Sequence, residues 1–347
     1  MTSDALSSAI SQFGDPRGYL AVASIGIPPR AAVTALTADL AAWAAADRDP
    51  QGYDGVVART RASYASLVGV AASSVAIGSQ TSVQTALIAA AAPVGAQILL
   101  PEGDFSSIMF PFQSRGDLDV RIVPLAGLAE AVTESTWMVG FSLVQSATGI
   151  VADAASIVAA AGAHGALTFC DVTQAAGVLP VDAAMFDVTI CHAYKWLCSP
   201  RGVAFLSLSD RMASQLRPLQ SGWYAGADVW TSTYGPRMVL ATDARRFDVS
   251  PAWQAWIGAE KAICLFASLD TAEVWQHTTA LGDALCDGLG IAQQHQAIVT
   301  WPDESGHDLQ KLGAAGIRAS GRAGRLRASF HLWNNESDVA AVLGALR

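Results

Sequence analysis

Short apolar runs alternate with alanine-rich helical stretches along the first two thirds of this 347-residue chain, and that rhythm narrows the available folds more than any other feature. The runs cover 97–100, 120–124, 137–144, 166–170, 188–191 and 203–208, and stretches such as 153–163 lie between them. Strands without polar alternation are buried on both faces, so they belong in a sheet that helices cover from two sides. The alternating order predicts an α/β fold with a mostly parallel sheet. A Pro- and Gly-rich stretch at 219–236 breaks the rhythm. Beyond it, 251–269 reads as one long helix, and the last third of the chain as a small domain of helices and short strands.

Composition bounds the partners. A chain 52% hydrophobic can bury a large core, and one large domain with a smaller companion fits its length better than several modules. The net charge of -9 argues against nucleic acid, whose phosphates need clustered Lys and Arg. The short basic run 318–327 reads either as a solvated face or as a carboxylate site. Mean hydropathy is positive, at +0.32, but the most apolar stretch, 86–100, is interrupted by Pro93, Gly95 and Gln97. It falls short of the roughly 20 apolar residues that a membrane span needs. The first residues lack the basic start and apolar core of a signal peptide, so the cytoplasm is the expected location. Cys170, Cys191, Cys198, Cys264 and Cys286 have no metal-ligand spacing, and neither a zinc site nor a disulfide is expected.

Two polar residues stand where such a sheet builds ligand crevices, at the ends of strands. Asp171 follows the run 166–170. Lys195 lies in Cys191-His192-Ala193-Tyr194-Lys195-Trp196-Leu197, just past the run 188–191. A lysine able to form a Schiff base and a carboxylate able to hold a protonated pyridine nitrogen are what pyridoxal 5′-phosphate chemistry requires. Taken alone, Asp171 also reads as a helix N-cap. Upstream, Gly78-Ser79-Gln80-Thr81-Ser82 precedes an alanine-rich helix, so free backbone N–H groups and the hydroxyls of Thr81 and Ser82 would meet an anion there.

These words, with Asp171-Val172-Thr173-Gln174-Ala175-Ala176-Gly177, resemble the class V branch of the fold-type I pyridoxal phosphate enzymes, over nearly the whole chain. That superfamily includes cysteine desulfurases, kynureninases and isopenicillin N epimerases. The resemblance implies a mostly parallel, seven-stranded sheet covered by helices, with a small C-terminal α+β domain. It also implies that residues 1–35 pack beside the small domain, that 36–245 form the large cofactor-binding domain and that 246–347 form the small one. The implied cofactor is pyridoxal 5′-phosphate, with Lys195 as the Schiff-base lysine, Asp171 at the ring nitrogen, and Thr81 and Ser82 at the phosphate. Gln174 takes the position that bonds the ring oxygen or the nearby Schiff base.

Phe105, in Pro101-Glu102-Gly103-Asp104-Phe105, matches the residue that stacks on the ring; it also reads as a core aromatic. Many family members carry histidine there, whereas phenylalanine can only stack. His192 and Tyr194 fall on positions that help hold the phosphate. Tyrosine just before the lysine is like kynureninase, while His192 departs from the pattern and also reads as a hydrogen-bonded core histidine. Arg245-Arg246-Phe247-Asp248-Val249-Ser250 resembles the segment that completes a neighbouring subunit's phosphate site, with Ser250 at the hydroxyl position, which implies a homodimer with shared active sites. The stretch 324–335 resembles the C-terminal signature whose arginine binds the substrate carboxylate. Arg327 takes that place, and Asn334 is expected as a turn or capping residue before the last helix.

The resemblance implies an amino-acid substrate and leaves three reactions open: β-elimination, as in the hercynylcysteine sulfoxide lyase-like branch, aminotransfer, and epimerisation. No cysteine follows Cys286, so a persulfide-forming cysteine desulfurase is not expected. A non-catalytic protein that kept the fold is the reading of another class. Lys195, Asp171 and Arg327 together argue against it.

Overall fold

The computed structural model describes residues 3–235 and 237–347; Met1 and Thr2 of the N-terminal segment and Pro236 of the 219–236 stretch lie outside the described residues. Seven strands form the main sheet: β1 (Val75–Gly78), β2 (Gln97–Pro101), β3 (Asp119–Val123), β4 (Thr136–Ser142), β5 (Leu167–Asp171), β6 (Val188–His192) and β7 (Ala204–Leu208). Their spatial order is β1-β7-β6-β5-β4-β2-β3, and only β7 is antiparallel to its neighbours. Six of the runs read from the sequence are strands of this sheet. The seventh strand, β1, has only four residues and ends in glycine, too little pattern to stand out.

Burial explains the unalternating sequences. Every residue of β5, β6 and β7 is buried, whereas the edge strand β3 is largely exposed. One face of the sheet packs Ala76, Ile98, Met138, Phe169, Ile190 and Leu206 against Leu87 and Ile88 of the helix Thr81–Ala91. The opposite face carries Ile77, Leu99, Val139, Cys170 and Cys191 into a second apolar cluster, which continues into Trp256 and Phe266 of the helix Trp253–Ala267. That helix occupies most of the 251–269 stretch.

A three-stranded antiparallel sheet of order β8-β10-β9 forms the C-terminal part, from β8 (Ile298–Pro302), β9 (Ser320–Arg322) and β10 (Arg325–Ser329). Helices Thr271–Leu289, His307–Ala314 and Glu336–Leu346 pack on its apolar face through Leu281, Leu285, Leu312 and Val342. The N-terminal segment lies along this sheet, with parallel bridges from Tyr19 to Arg318 and from Ala21 to Ser329. Its Leu20 enters the small apolar core and its Val22 and Ala23 enter the large one, so a few residues stitch both together. The cap of the last helix is Asn335, in a reciprocal box with Asp338. Asn334 is the expected turn residue: its N–H donates to the His331 carbonyl at 3.0 Å and its Oδ1 accepts the His331 N–H at 2.8 Å.

A buried ion pair clamps β1 to its surroundings. Arg61, on the helix Gly52–Leu67, donates to both carboxylate oxygens of Asp248, at 3.0 and 2.6 Å, and to the Val75 carbonyl, while the Ile77 N–H donates to Asp248. Removing one partner leaves a charge without a counterion in a dry site. Urea unfolding should therefore place Asp248→Asn about 3–5 kcal/mol below the parent protein. A loss within about 1 kcal/mol, as for a surface pair, would show that water reaches the site.

Candidate active site

Strands β6 and β7 are antiparallel neighbours, so residues 193–203 form a connection at the end of β6, and Lys195 sits on it. The loop is pinned at several points. The Trp196 indole N–H donates to Gln174 Oε1 at 2.7 Å, the Trp196 carbonyl accepts from His331 Nε2 at 2.9 Å, and the Tyr194 carbonyl accepts the Gly26 N–H at 2.8 Å. Gly26 approaches so closely that an added Cβ would lie 2.0 Å from the Lys195 carbonyl oxygen. Gln174 Nε2 donates to the Ala23 carbonyl, so one amide joins the lysine loop to the N-terminal segment. Each end of the Gln174 amide thus has one partner within the chain. Lys195 is only 6% exposed, and burial lowers its amine to about 8, with Asp171 opposing the shift and Arg327 and Arg322 adding to it.

Asp171 ends β5, in register with Ser142 of β4 and Ile190 of β6, so it projects from the face that carries the helix Thr81–Ala91. Its Oδ1 accepts the Thr173 N–H at 2.8 Å, the local contact of a capping residue. Burial raises its carboxyl to about 6, against the Thr173 hydrogen bonds and the Lys195 charge. A second acid, Asp104, was not visible as a site residue from the sequence. It accepts from the Ser142 hydroxyl at 2.5 Å, the Ser142 N–H at 2.8 Å and the Phe105 N–H at 2.6 Å, and burial raises its pKa. These bonds fix Phe105, whose ring centroid lies 5.3 Å from Lys195 Nζ.

A set of unpartnered donors lies beside this pair. The helix Thr81–Ala91 has no side-chain cap, and the backbone N–H groups of Thr81, Ser82 and Val83 have no partner among the described residues. One turn in, Gln84 is buried with both Nε2 and Oε1 unbonded. Its amide lies against Gly78, where an added Cβ would come within 2.6 Å. Gly78, Ala204 and His192 pair in one row across β1, β7 and β6, so the Gly78 face on which Gln84 packs is also the face of the His192 side chain. His192 Nε2 is buried and unbonded as well, and burial lowers this imidazole to about 4. Near neutral pH it is uncharged. Tyr194 packs edge-on against His192, at 4.4 Å between centroids, with the Arg201 guanidinium 4.8 Å above its ring. Ser250 is exposed and hydrogen-bonds to none of these residues.

Arg327, on β10, is 2% exposed. It donates to Ser320 Oγ at 3.1 Å, to Ser24 Oγ at 2.9 Å and to the Ser146 carbonyl, and no carboxylate among the described residues pairs with it. Burial lowers its pKa to about 10, and the Arg322 charge adds to the shift. Ser24 and Ser146 carried no local signal, because they stand 303 and 181 residues away in sequence. Gln84, by contrast, sits in the same helix turn as Thr81 and Ser82.

The sequence model for aminotransferase class-V matches residues 56–308. The chain belongs to the aminotransferase class-V family. Kynureninase of Deinococcus radiodurans is 32% identical over 238 residues, 65% of this chain and 57% of that protein. Isopenicillin N epimerase of Streptomyces clavuligerus is 26% identical over 61% of this chain and 58% of its own. The matched regions thus cover less than two thirds of these curated relatives. Among solved structures, the cystine C-S lyase C-DES, in complex with its reaction product cysteine persulfide, superposes with a TM-score of 0.85 at 21% identity, over 95% of this chain and 97% of that one. The likeness extends the shared fold over almost the full length.

Pyridoxal 5′-phosphate is the cofactor of this class-V chain. The site fits it on the chain's own terms: unpartnered N–H and amide groups suit an anion, a buried acid suits a basic ring nitrogen, and an amine of lowered pKa suits an aldehyde. The lowered Lys195 pKa can be read directly, because the chain has only three lysines, Lys195, Lys261 and Lys311. Acetylation of cofactor-free protein, followed by mass spectrometry, should show Lys195 reactivity rising with a midpoint near pH 8. Asp171→Asn removes the nearby negative charge and should move that midpoint lower. A midpoint at the ordinary lysine value would show the amine to be solvated.

Proposed function

We propose that the protein acts at the α-carbon of an amino acid, by carbon–sulfur β-elimination or by aminotransfer. The observation that carries this reading is Arg327, a buried guanidinium without a carboxylate partner, close enough to Lys195 for their charges to interact. A planar fork of donors in a dry site suits a substrate carboxylate held bidentately. In this reading Thr81, Ser82, Gln84, His192 and Tyr194 hold the cofactor phosphate, Asp171 the ring nitrogen, Phe105 the ring face and Lys195 the aldehyde. Gln174 serves the ring oxygen with the N–H that Ala23 leaves free. Bound pyridoxal phosphate supplies an electron sink for the pair left at the α-carbon.

The chain's own groups then set the direction of the chemistry. Lys195, its amine lowered by burial to about 8, is suited both to take and to return a proton. Neutral His192 can donate a hydrogen bond but resists protonation. Phe105 carries no exchangeable proton where a second acid–base group could stand, which favours a single shuttle over two-base epimerisation. A persulfide-forming mechanism requires a reactive thiolate beside the substrate. Cys170, Cys191, Cys198 and Cys286 are buried with raised pKa values, and the exposed Cys264, on the helix Trp253–Ala267, makes no hydrogen bond to the site residues named above. This supports a reaction that needs no cysteine nucleophile. Exposed Ser250 suits a contact with the phosphate site of a second copy in a homodimer.

Purified protein should release pyruvate and ammonia from cysteine conjugates, or transfer an amino group to an added oxo acid. Lys195→Ala should lower turnover by about 10²–10⁴-fold or more while unfolding at the parent temperature. Arg327→Lys should weaken amino acids by about 1.5–3 kcal/mol and leave the corresponding decarboxylated amines almost unaffected. Turnover retained in Lys195→Ala, or equal weakening of acid and amine in Arg327→Lys, would refute the assignment concerned.

A further inference from the structure

The small sheet has one apolar and one cationic face. Along β10, Leu326 and Ala328 enter the apolar core, while Arg325 and Arg327 alternate with them on the other side. Register pairs Arg325 with Arg322 and Arg327 with Ser320, so Arg322, Arg325 and Arg327 share that face. Every hydrogen bond these three guanidinium groups make ends on a hydroxyl or a carbonyl oxygen. None is neutralised by an acid of the described chain.

The three differ in what they are free to do. Arg325 is committed to Thr300, through the hydroxyl at 3.2 Å and the carbonyl at 3.1 Å. Arg327 is buried and held on three sides. Arg322 is exposed at the end of β9, beside a tight turn in which Ala323 and Gly324 have φ of 49° and 70°. It donates to the adjacent Gly321 carbonyl and, at 3.4 Å, to Ser24 Oγ. The same hydroxyl accepts from Arg327 at 2.9 Å, so Ser24 bridges a buried cation and an exposed one. One α-carboxylate satisfies Arg327 and leaves the second positive charge beside it unmatched. A second anionic group on the same ligand would remove that like-charge repulsion and find donors already in place.

We infer that Arg322 is a specificity-determining residue, and that the preferred substrates are amino acids whose side chain ends in an acidic group such as a carboxylate or sulfinate. This deepens the proposed function and rests on its placement of the α-carboxylate at Arg327. Arg322 would grip the distal acid, while Ser24 holds the two guanidinium groups at a fixed spacing.

Unreactive probes test this without turnover. Calorimetric titration of the cofactor-loaded protein at constant ionic strength should show glutarate binding about tenfold or more tightly than valerate, in keeping with one added charge-assisted hydrogen bond. Arg322→Gln should erase that difference and leave valerate unchanged; because the side chain is exposed, thermal unfolding should stay at the parent value. Arg327→Gln reports separately on the α-carboxylate clamp by weakening both probes. Loss of the preference in Arg322→Gln together with weakening of both probes in Arg327→Gln upholds the inference; if Arg327→Gln leaves valerate unaffected, the clamp placement fails and takes the inference with it. Absence of a dicarboxylate preference in the parent, or equal weakening of both probes in Arg322→Gln, overturns it.

Discussion

Ionisable groups removed from water without full compensation organise this molecule. Lys195 and Asp171 are both buried, and the shifts in each run against ionisation even though each favours the charged form of the other. Their mutual attraction offsets only part of the desolvation. A site left in that condition is most stable when a ligand brings the missing charges and hydrogen bonds, and the unbonded atoms of Gln84 and His192 point to the same requirement.

Keeping such groups in place takes a stiff frame. The ends of β4, β5 and β6 lie side by side, so Ser142, Asp171 and His192 are set by sheet register rather than by loop conformation. Lys195 lies on a loop, and that loop is fastened by Gln174, His331 and Gly26, from three distant parts of the chain. Asp104 does the same for Phe105 by bonding back to Ser142. Placement of the reacting groups is thereby coupled to the docking of the N-terminal segment, a stretch that enters both apolar cores.

What could be read from the sequence followed the range of the forces. Unalternating apolar runs exposed most of the large sheet, because burial on two faces leaves a local mark; β1 escaped because four residues carry too little pattern. Lys195, Asp171 and Phe105 were legible from short words around them, and the structure brings these three together. Asp104 sat inside a word already singled out and Gln84 two residues past another, yet their importance depends on what they lack or meet in space. Ser24, Ser146 and Ser320 were beyond reach: each is an ordinary serine until folding sets it against Arg327. The pairing of Arg322 with Arg325 likewise needed strand register to convert a basic run into a cationic face.

The limits of the family match fall inside the site. Residues 56–308 contain Lys195, Asp171, Phe105 and Thr81, but exclude Ser24, Arg322 and Arg327. Residues 18–26, which cross the small sheet, bring Ser24 to Arg327 and Gly26 to the lysine loop, so the two ends of the chain meet the matched middle at one place. Loss of the N-terminal strap would therefore loosen Arg327 and the Lys195 loop together, although the two lie on different sheets.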